Sequence, residues 1–198
     1  MENLVIPFDR LSIGDVAIVG GKNASLGEMY RELVPLGIQI PDGFATTADA
    51  FRLFKKSNQL DQPIKELLGG LDIERGDKLR EVSVQIKKLI LDSTIPLPLE
   101  QEILEAYRKL CVLHGRELDV AVRSSATAED LPGASFAGQH ESFLNIRGDQ
   151  ALMRAVKSCF ASLYNARAIK YRHDKGFDKI EIALSVGCLL YTSDAADE

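Results

Sequence analysis

The residues best suited to chemistry in this sequence are an arginine and two hydroxyls beside a stretch of small residues. Val120-Ala121-Val122 is small and apolar, which predicts a short buried strand that ends at Arg123, before Ser124 and Ser125. The residues from there to a second predicted strand, Glu141–Ile146, are rich in Ala, Ser, Gly, Pro and acids, which predicts a loop. Small residues let backbone N–H groups approach oxyanions, and arginine can bind phosphate through two parallel hydrogen bonds. The pattern predicts a phosphate-binding loop, and an ordinary hairpin with a surface arginine is the alternative.

A second candidate, Lys22, follows a pair of glycines at the start of a predicted helix. Gly20-Gly21 permits a tight turn, and apolar residues at helical spacing follow it, namely Leu26, Met29, Tyr30 and Leu33. The N–H groups at the start of a helix favour an anion, so Lys22 is predicted to direct its charge at a phosphate. The P-loop pattern G-x-x-x-x-G-K-[ST] is absent, and a turn with a solvated lysine is the alternative.

Both segments resemble the nucleotide-binding signature of the dikinase family. The resemblance lies in RSSATAEDLP from Arg123, in ASFAGQ from Ala134 and in GGKNASLGE from Gly20. The stretch IPDGFATTADAF from Ile40 and the residues from Ser158 to Arg172 are similar to the same family. The resemblance implies an α+β fold, the N-terminal half of a dikinase-type ATP-grasp domain with an inserted helical segment.

The resemblance also implies which residues bind ATP. Lys22 and Arg123 would neutralise phosphate charge, with Arg123 as the catalytic candidate. Ser135, Phe136, Ala137 and Gly138 would cover the triphosphate with backbone donors, and Ser142 and Phe143 would line the nucleotide site. Gln139 would donate to a phosphate oxygen or bridge two strands. Cationic side chains and fixed N–H dipoles suit phosphoryl transfer, because this chemistry depends on positioning and on charge stabilisation.

Metal ligands and a phosphate carrier are expected outside this sequence. Mg²⁺ is an expected cofactor, but the resemblance implies that its carboxylate ligands lie in the other half of the domain. Glu129 and Asp130 are interpreted as acids that cap a turn beside a proline, so no metal ligand is predicted here. None of the three histidines, His114, His140 and His173, has the sequence context of the family's phosphate-carrying histidine.

The resemblance implies a parent enzyme that converts ATP, pyruvate and water to AMP, phosphoenolpyruvate and phosphate through a phosphohistidine. Pyruvate would bind to other domains, so this chain alone is expected to be inactive, and the full-length enzyme is a candidate homodimer. One alternative is the ATP-binding domain of the family branch that phosphorylates rifampin, which Gly138-Gln139-His140 favours, whereas GFATTADAF favours the pyruvate branch. The other alternative is a non-catalytic nucleotide-binding module.

Length and composition set broader limits. A chain of 198 residues with 45% apolar residues can bury a core and form one domain. The net charge of −5 disfavours nonspecific binding to nucleic acid. The sequence has neither an apolar run of about 18 residues nor a charged-then-apolar N-terminus, so no membrane partner is expected. Cys111 and Cys159 are interpreted as buried thiols, and the three cysteines lack C-x-x-C spacing. These features predict a cytoplasmic protein.

Several elements are predicted to position the candidate residues. Leu4–Phe8 is a predicted edge strand, and Thr47 is predicted to cap a helix. Residues 57–114 are predicted to be helices whose apolar stripes face the core and whose charged residues, Lys87 among them, lie on a solvated face. Asp149 is predicted to cap a long helix that extends to Tyr171.

The end of the sequence departs from the family. Ile180–Val186 is a predicted strand, and after Gly187 the family would continue with another apolar strand residue and a glutamine. The residues from Cys188 to Glu198 resemble the translation of a sequencing-library transposon adapter. We therefore expect the ATP-binding domain to cover residues 1–187, with 57–114 as its helical insert. Residues 188–198 are expected to be an artefactual tail and are left out of the predicted fold.

Overall fold

The computed structural model describes residues 3–115, 117–127, 141–176 and 182–191. The described strands are β1 (Val5–Pro7), β2 (Gly43–Thr46), β3 (Val120–Ala126), β4 (Ser142–Ile146) and β5 (Leu184–Leu190). The α-helices in the same residues are α1 (Val16–Leu33), α2 (Ala48–Ser57), α3 (Asp61–Leu68), α4 (Gly76–Asp92), α5 (Leu97–Leu113), α6 (Asp149–Ser162) and α7 (Ala166–Asp174), with short 3-10 helices at Phe8–Arg10, Ile13–Asp15 and Val34–Leu36.

The strands form one antiparallel sheet in the order β1-β2-β5-β3-β4. The predicted edge strand is present as β1, and β4 forms the opposite edge. Strand β5 lies at the centre and pairs with β2 on one side and β3 on the other. The mixed helix and sheet content confirms the predicted α+β class.

Strand β3 is longer than predicted. It does not end at Arg123 but continues to Ala126, because its pairing with β5 runs from Val120 opposite Leu190 to Ala126 opposite Leu184. Ser124 and Ser125 are 2% and 1% exposed, so these two hydroxyl residues are buried inside the sheet region. Arg123 is the one exposed residue of the strand.

Helices cover both faces of the sheet. The larger core lies on the face of Phe44, where Phe51 and Phe54 of α2 pack against Phe160 of α6 with ring centroids 5.2 Å apart in both pairs. The smaller core includes Ala45, the next residue of β2, together with residues of α1 and the segment before it. Successive residues of a strand point to opposite faces. Helix α1 is therefore on the face opposite the other helices of the core.

The helical segment 57–114 belongs to the larger core. Leu79 and Ile86 of α4 and Ile103 and Leu110 of α5 are buried in the same cluster as Val122 of β3. The segment is therefore packed into the domain rather than attached to its surface. None of the helices in the described ranges is both long and apolar enough to cross a bilayer.

Helix boundaries agree with the sequence at some places and differ at others. Thr47 caps α2 as predicted, because the Ala50 N–H donates to its Oγ1 at 3.3 Å. The long helix predicted from Asp149 is broken between α6 and α7, and the carboxylate of Asp149 pairs with Arg108 instead of capping the helix.

Strand β5 extends into the segment that the sequence predicts to be an artefactual tail. Cys188, Leu189 and Leu190 continue the strand beyond residue 187, and Cys188 is fully buried opposite Val122. Apolar side chains at these positions complete the centre of the sheet. The described fold therefore extends to Tyr191, past the predicted domain boundary.

Candidate functional site

Helix α1 is broken at Gly20, and the residues at this break, here called the start of α1, lie against β3. At Gly20 the backbone leaves helical geometry, with φ 74° and ψ 159°, and the regular helix begins at Gly21. A Cβ atom on Gly20 would lie 2.3 Å from Ser125 Oγ and 2.9 Å from the carbonyl oxygen of Ala126. A side chain at this position would collide with the strand. The predicted tight turn before the helix is therefore present, and it rests directly on the segment that carries Arg123.

A buried polar network, here called the Asn23 network, joins α1 to the sheet through Asn23, Ser185 and Thr46. Asn23 Nδ2 donates to Ser185 Oγ at 2.8 Å and to the carbonyl oxygen of Val19 at 3.1 Å. Ser185 Oγ donates to the carbonyl oxygen of Thr46 at 2.6 Å, and Thr46 Oγ1 accepts from the Val186 N–H at 2.9 Å. Buried polar groups require such partners, and here they tie one helix to two strands.

The cross-strand register shows which face Arg123 occupies. Gly187 lies opposite Arg123, and a Cβ on Gly187 would be 2.3 Å from Asn23 Oδ1. Residues directly opposite each other in an antiparallel pair have their side chains on the same face. Arg123 is therefore on the α1 face of the sheet. Ser142, the partner of Arg123 on β4, shares this face.

The candidate residues divide between the two faces. Lys22, Arg123 and Ser142 are exposed, and the structure brings the start of α1, Arg123 and Ser142 to one face of one sheet. Phe143 pairs with Val122 and packs on the larger core, which is on the opposite face. Ser135, Phe136, Ala137 and Gly138 lie outside the described residues, as do Gln139, His140, Glu129 and Asp130.

The electrostatics of Arg123 suit an external anion. Among the described residues, no side chain forms an ion pair or hydrogen bond with its guanidinium. An arginine held on a strand with its five donors uncommitted can bind an oxyanion in bidentate fashion. Lys22 is the second residue of the regular helix, where backbone N–H groups add partial positive charge.

Lys87 has a different environment from the predicted one. It is half-buried, and its Nζ donates to Asn165 Oδ1 at 2.8 Å and lies 3.5 Å from Glu141 Oε1. Asn165 Nδ2 donates to the same Glu141 oxygen at 3.1 Å. The prediction of a solvated Lys87 was wrong, because the residue preceding β4 folds back onto α4. This cluster holds the chain immediately before Ser142.

The buried thiols of Cys159 and Cys188 are not suited to act as nucleophiles. Burial raises the pKa of the Cys159 thiol well above its usual value, and burial likewise raises the pKa of Cys188. Both groups are therefore protonated at neutral pH, and the described part of the chain holds no disulfide among its three cysteines. Within the same part, no group of three His, Cys, Asp or Glu side chains is placed to hold a metal ion.

Sequence reasoning missed the Asn23 network. Asn23 lies in the GGKN segment, and nothing local in the sequence connects it with Ser185, which is 162 positions away. The only local signal is the position of Asn23 between Gly20 and Gly27. At both glycines the helix lies close to other backbone, so a polar side chain between them is expected to be buried and to need a partner.

Known proteins are similar to this sequence over most of its length. Residues 16–195 match the family model of the pyruvate phosphate dikinase AMP/ATP-binding domain. The chain is 51% identical to a phosphoenolpyruvate synthase of Helicobacter pylori over 181 residues, which cover 91% of the chain and 22% of that protein. It is 49% identical to the phosphoenolpyruvate synthase of Escherichia coli over 184 residues, 93% of the chain and 23% of that protein. The chain thus spans less than a quarter of the length of these two curated relatives.

Proposed function

Because the chain belongs to the family of the pyruvate phosphate dikinase AMP/ATP-binding domain, we propose that it is the ATP-binding part of a phosphoenolpyruvate synthase. Such an enzyme, also called pyruvate, water dikinase, converts ATP, pyruvate and water to AMP, phosphoenolpyruvate and phosphate through a phosphohistidine. One structural observation carries the proposal. The start of α1, which includes Lys22, lies on the same face of the sheet as Arg123.

In this proposal the two cations bind the phosphate chain of ATP. Lys22 supplies a point charge at a helix N-terminus, and Arg123 supplies two parallel donors from a rigid strand. Phosphoryl transfer needs negative charge stabilised and the reacting groups aligned, and both tasks suit side chains fixed on regular elements. Ser142 would add a hydroxyl beside Arg123, since the two residues pair across β3 and β4.

The remaining candidates have secondary roles in the proposal. The backbone of Ser135, Phe136, Ala137 and Gly138 would cover the triphosphate. Phe143 would support the site indirectly, by packing β4 onto the larger core. Its ring lies on the face of the sheet opposite to Ser142 and Arg123.

Cofactor and cellular context extend the same proposal. Mg²⁺ would neutralise the phosphate charge that Lys22 and Arg123 do not reach, with ligands outside the described residues. The acidic net charge of −5 and the lack of a long apolar run support a cytoplasmic enzyme that does not bind nucleic acid. Phosphoenolpyruvate formed from pyruvate would serve gluconeogenesis, and a homodimer is the proposed assembly of the full-length enzyme.

The proposal is tested in a hybrid synthase, in which residues 16–187 of this chain replace the matching segment of the Escherichia coli relative. We expect the hybrid to form AMP from ATP in the presence of pyruvate and Mg²⁺. Because the acceptor site of the hybrid comes from the Escherichia coli segments, this experiment tests the ATP site of residues 16–187 and not the choice between the two branches of the family. A hybrid that melts cooperatively, as a folded protein does, but forms no pyruvate-dependent AMP would contradict the proposal.

The 198-residue chain alone is expected to be catalytically silent. The proposed acceptor site and phosphate-carrying histidine belong to other segments, and catalytic groups that act as a unit lose far more than additive activity when some are removed. Purified chain incubated with ATP, Mg²⁺ and pyruvate should release no AMP above a blank without protein. Pyruvate-dependent AMP formation by this chain would show that the division of labour proposed here is wrong.

A further inference from the structure

The Asn23 network carries an inference about a residue next to the candidate site. Asn23 follows Lys22 directly in the first turn of the regular helix and is 4% exposed. We infer that Asn23 is a positioning residue, which fixes the start of α1 on the sheet and thereby sets the place of Lys22 relative to Arg123. This inference rests on the proposed function and assigns a role within it to a residue that does not itself reach solvent.

The hydrogen bonds of Asn23 determine where the helix start lies. Its Nδ2 reaches Ser185 of β5 at 2.8 Å, and Ser185 lies opposite Ser125, the residue that Gly20 contacts. A hydrogen bond loses strength steeply with distance and angle, so these contacts fix the helix position more narrowly than apolar contacts, which have no preferred direction. The network therefore selects one position of the helix.

Two close contacts bracket Asn23 and leave it little freedom. Gly20 lies against Ser125 and Ala126 of β3, and Asn23 Oδ1 lies in the space that a side chain of Gly187 would fill. Gly187 is also the β5 residue opposite Arg123. The strand position that pairs with Arg123 is thus the same one that contacts Asn23. A shift of the Asn23 side chain moves the helix start with respect to the strand that carries the guanidinium.

The chemistry of the amide explains why asparagine fits this place. Nδ2 has two hydrogens, and both are used, one for the Val19 carbonyl within the turn before Gly21 and one for Ser185 on the sheet. Neither aspartate nor leucine has a hydrogen-bond donor for these two acceptors. Asn23 thus connects the turn before the break at Gly20 with the helix after it and with β5.

The test measures phosphate-dependent binding by the 198-residue chain, which contains both Lys22 and Arg123. NMR titrations with ATP and with adenosine follow the backbone amides of Gly21 and Lys22, a method that detects weak binding. We expect ATP to shift these amides in the wild-type chain. Asn23→Ala should weaken ATP binding about 10- to 100-fold, the loss expected when a charge-assisted hydrogen bond to phosphate is broken, while adenosine binding stays unchanged.

The matched control is Tyr107→Phe. Tyr107 is also buried, and its hydroxyl also makes two hydrogen bonds, to the Leu118 carbonyl at 2.8 Å and from the Gly148 N–H at 3.1 Å, at the other end of β3. This variant should lower the melting temperature without changing ATP binding. If Asn23→Ala fails to fold, Ser185→Ala keeps the amide and removes one of its acceptors, and it should weaken ATP binding by a smaller factor.

The outcomes separate this inference from the proposed function. If Lys22→Ala weakens ATP binding but folded Asn23→Ala and Ser185→Ala bind ATP as wild type does, the positioning role is overturned and the phosphate site stands. Equal loss of ATP and adenosine binding in Asn23→Ala would also overturn it, because a general loss of structure explains that result. If neither wild-type ATP binding nor a Lys22→Ala effect is observed, the phosphate site and the inference fall together.

Discussion

The sheet face that carries Arg123 and the solvent-facing surface of the helical segment 57–114 hold their polar side chains in opposite ways. On the sheet, Thr46 and Ser185 are fully buried, and each is hydrogen-bonded to a partner distant in sequence. On the helices, ion pairs such as Lys88 with Asp92 lie on the surface and link residues one turn apart. The first arrangement fixes the positions of separate elements relative to one another, whereas the second connects residues within one helix and leaves the packing of that helix unchanged.

This difference indicates where substitutions should matter. Buried hydrogen bonds that connect separate elements are costly to break, because an unpaired polar group is left away from water. Exposed pairs contribute little, since water and salt replace them easily. We therefore expect effects to be large around Arg123 and the start of α1 and to become small along α4.

The largest effect is expected for Arg123→Lys in the hybrid synthase. Lysine keeps the charge but loses the planar pair of donors, so the change should slow ATP-dependent phosphorylation of the enzyme about 30- to 1,000-fold, or about 2–4 kcal/mol. Incorporation of radioactive phosphate measures the rate, and a thermal melt checks folding. Lys22→Ala should have a similar effect. Wild-type rates in both folded variants would show that this face does not bind phosphate.

Gly20→Ala should cause the next largest effect, this time on stability. The substitution places a side chain in a backbone conformation that suits glycine alone and brings its Cβ to 2.3 Å from Ser125 Oγ, so we expect a loss of about 2–3 kcal/mol. Urea unfolding measures the free energy of unfolding. Gly37→Ala is the matched control, because Gly37 also has positive φ but a Cβ there meets nothing within 4 Å. Equal losses in both variants would mean that the close contact at Gly20 is not tight.

Lys87→Ala should have an effect between those expected for the two regions, because Lys87 is on α4 but contacts residues outside that helix. The lysine bonds to Asn165 and lies near Glu141 while one third of its side chain is exposed, so its removal should cost about 0.5–1 kcal/mol in unfolding free energy. In the hybrid synthase we also expect a modest fall in rate, because Glu141 precedes Ser142. A loss as large as that of Arg123→Lys would contradict the assignment of Lys87 to a supporting role.

Lys88→Ala should produce the smallest effect. Lys88 is the neighbour of Lys87 on α4, but its ion pair with Asp92 is fully on the surface. Hydrogen bonding to Asp92 raises the pKa of Lys88, and this lysine is charged across the whole neutral range with or without the pair. Neither the melting temperature nor the rate should change measurably. A clear change would show that surface pairs on α4 do more than the comparison between the two regions allows.

Local signals were enough to predict much of this fold. The N-cap at Thr47 depends on residues within one turn, and the turn at Gly20 depends on the missing side chain of that residue. The strand content of β4 likewise follows from its own alternation. The features that were not predicted depend on distant partners. Ser124 and Ser125 look like loop residues until β5 pairs beside them, and Lys87 looks solvated until Glu141 lies against it.

The candidate site was predictable only in part for the same reason. The residue types of Lys22 and Arg123 and their local settings indicate phosphate, whereas their common face follows from the register of β3 with β5. Ser142 and Phe143 are neighbours in a predicted strand and therefore point to opposite faces, but only the pairing of β3 with β4 shows that Ser142 is the one on the face of Arg123. A one-residue step along a strand reverses the direction of the side chain, and loop length alone does not fix that step.

The position of β5 in the sheet also bears on how the domain is made. Within the described strands, β1 pairs only with β2 and β4 only with β3, and β5, the last of them in sequence, joins these two pairs. During synthesis the β1–β2 pair and the β3–β4 pair therefore cannot join until residues 184–190 leave the ribosome. Until then, the edges of β2 and β3 that pair with β5 lack a partner strand. Sheets closed by such long-range pairing form slowly and expose edges that invite aggregation. We expect nascent chains that stop before Leu184 to depend on chaperones, and soluble folding to begin only when β5 becomes available.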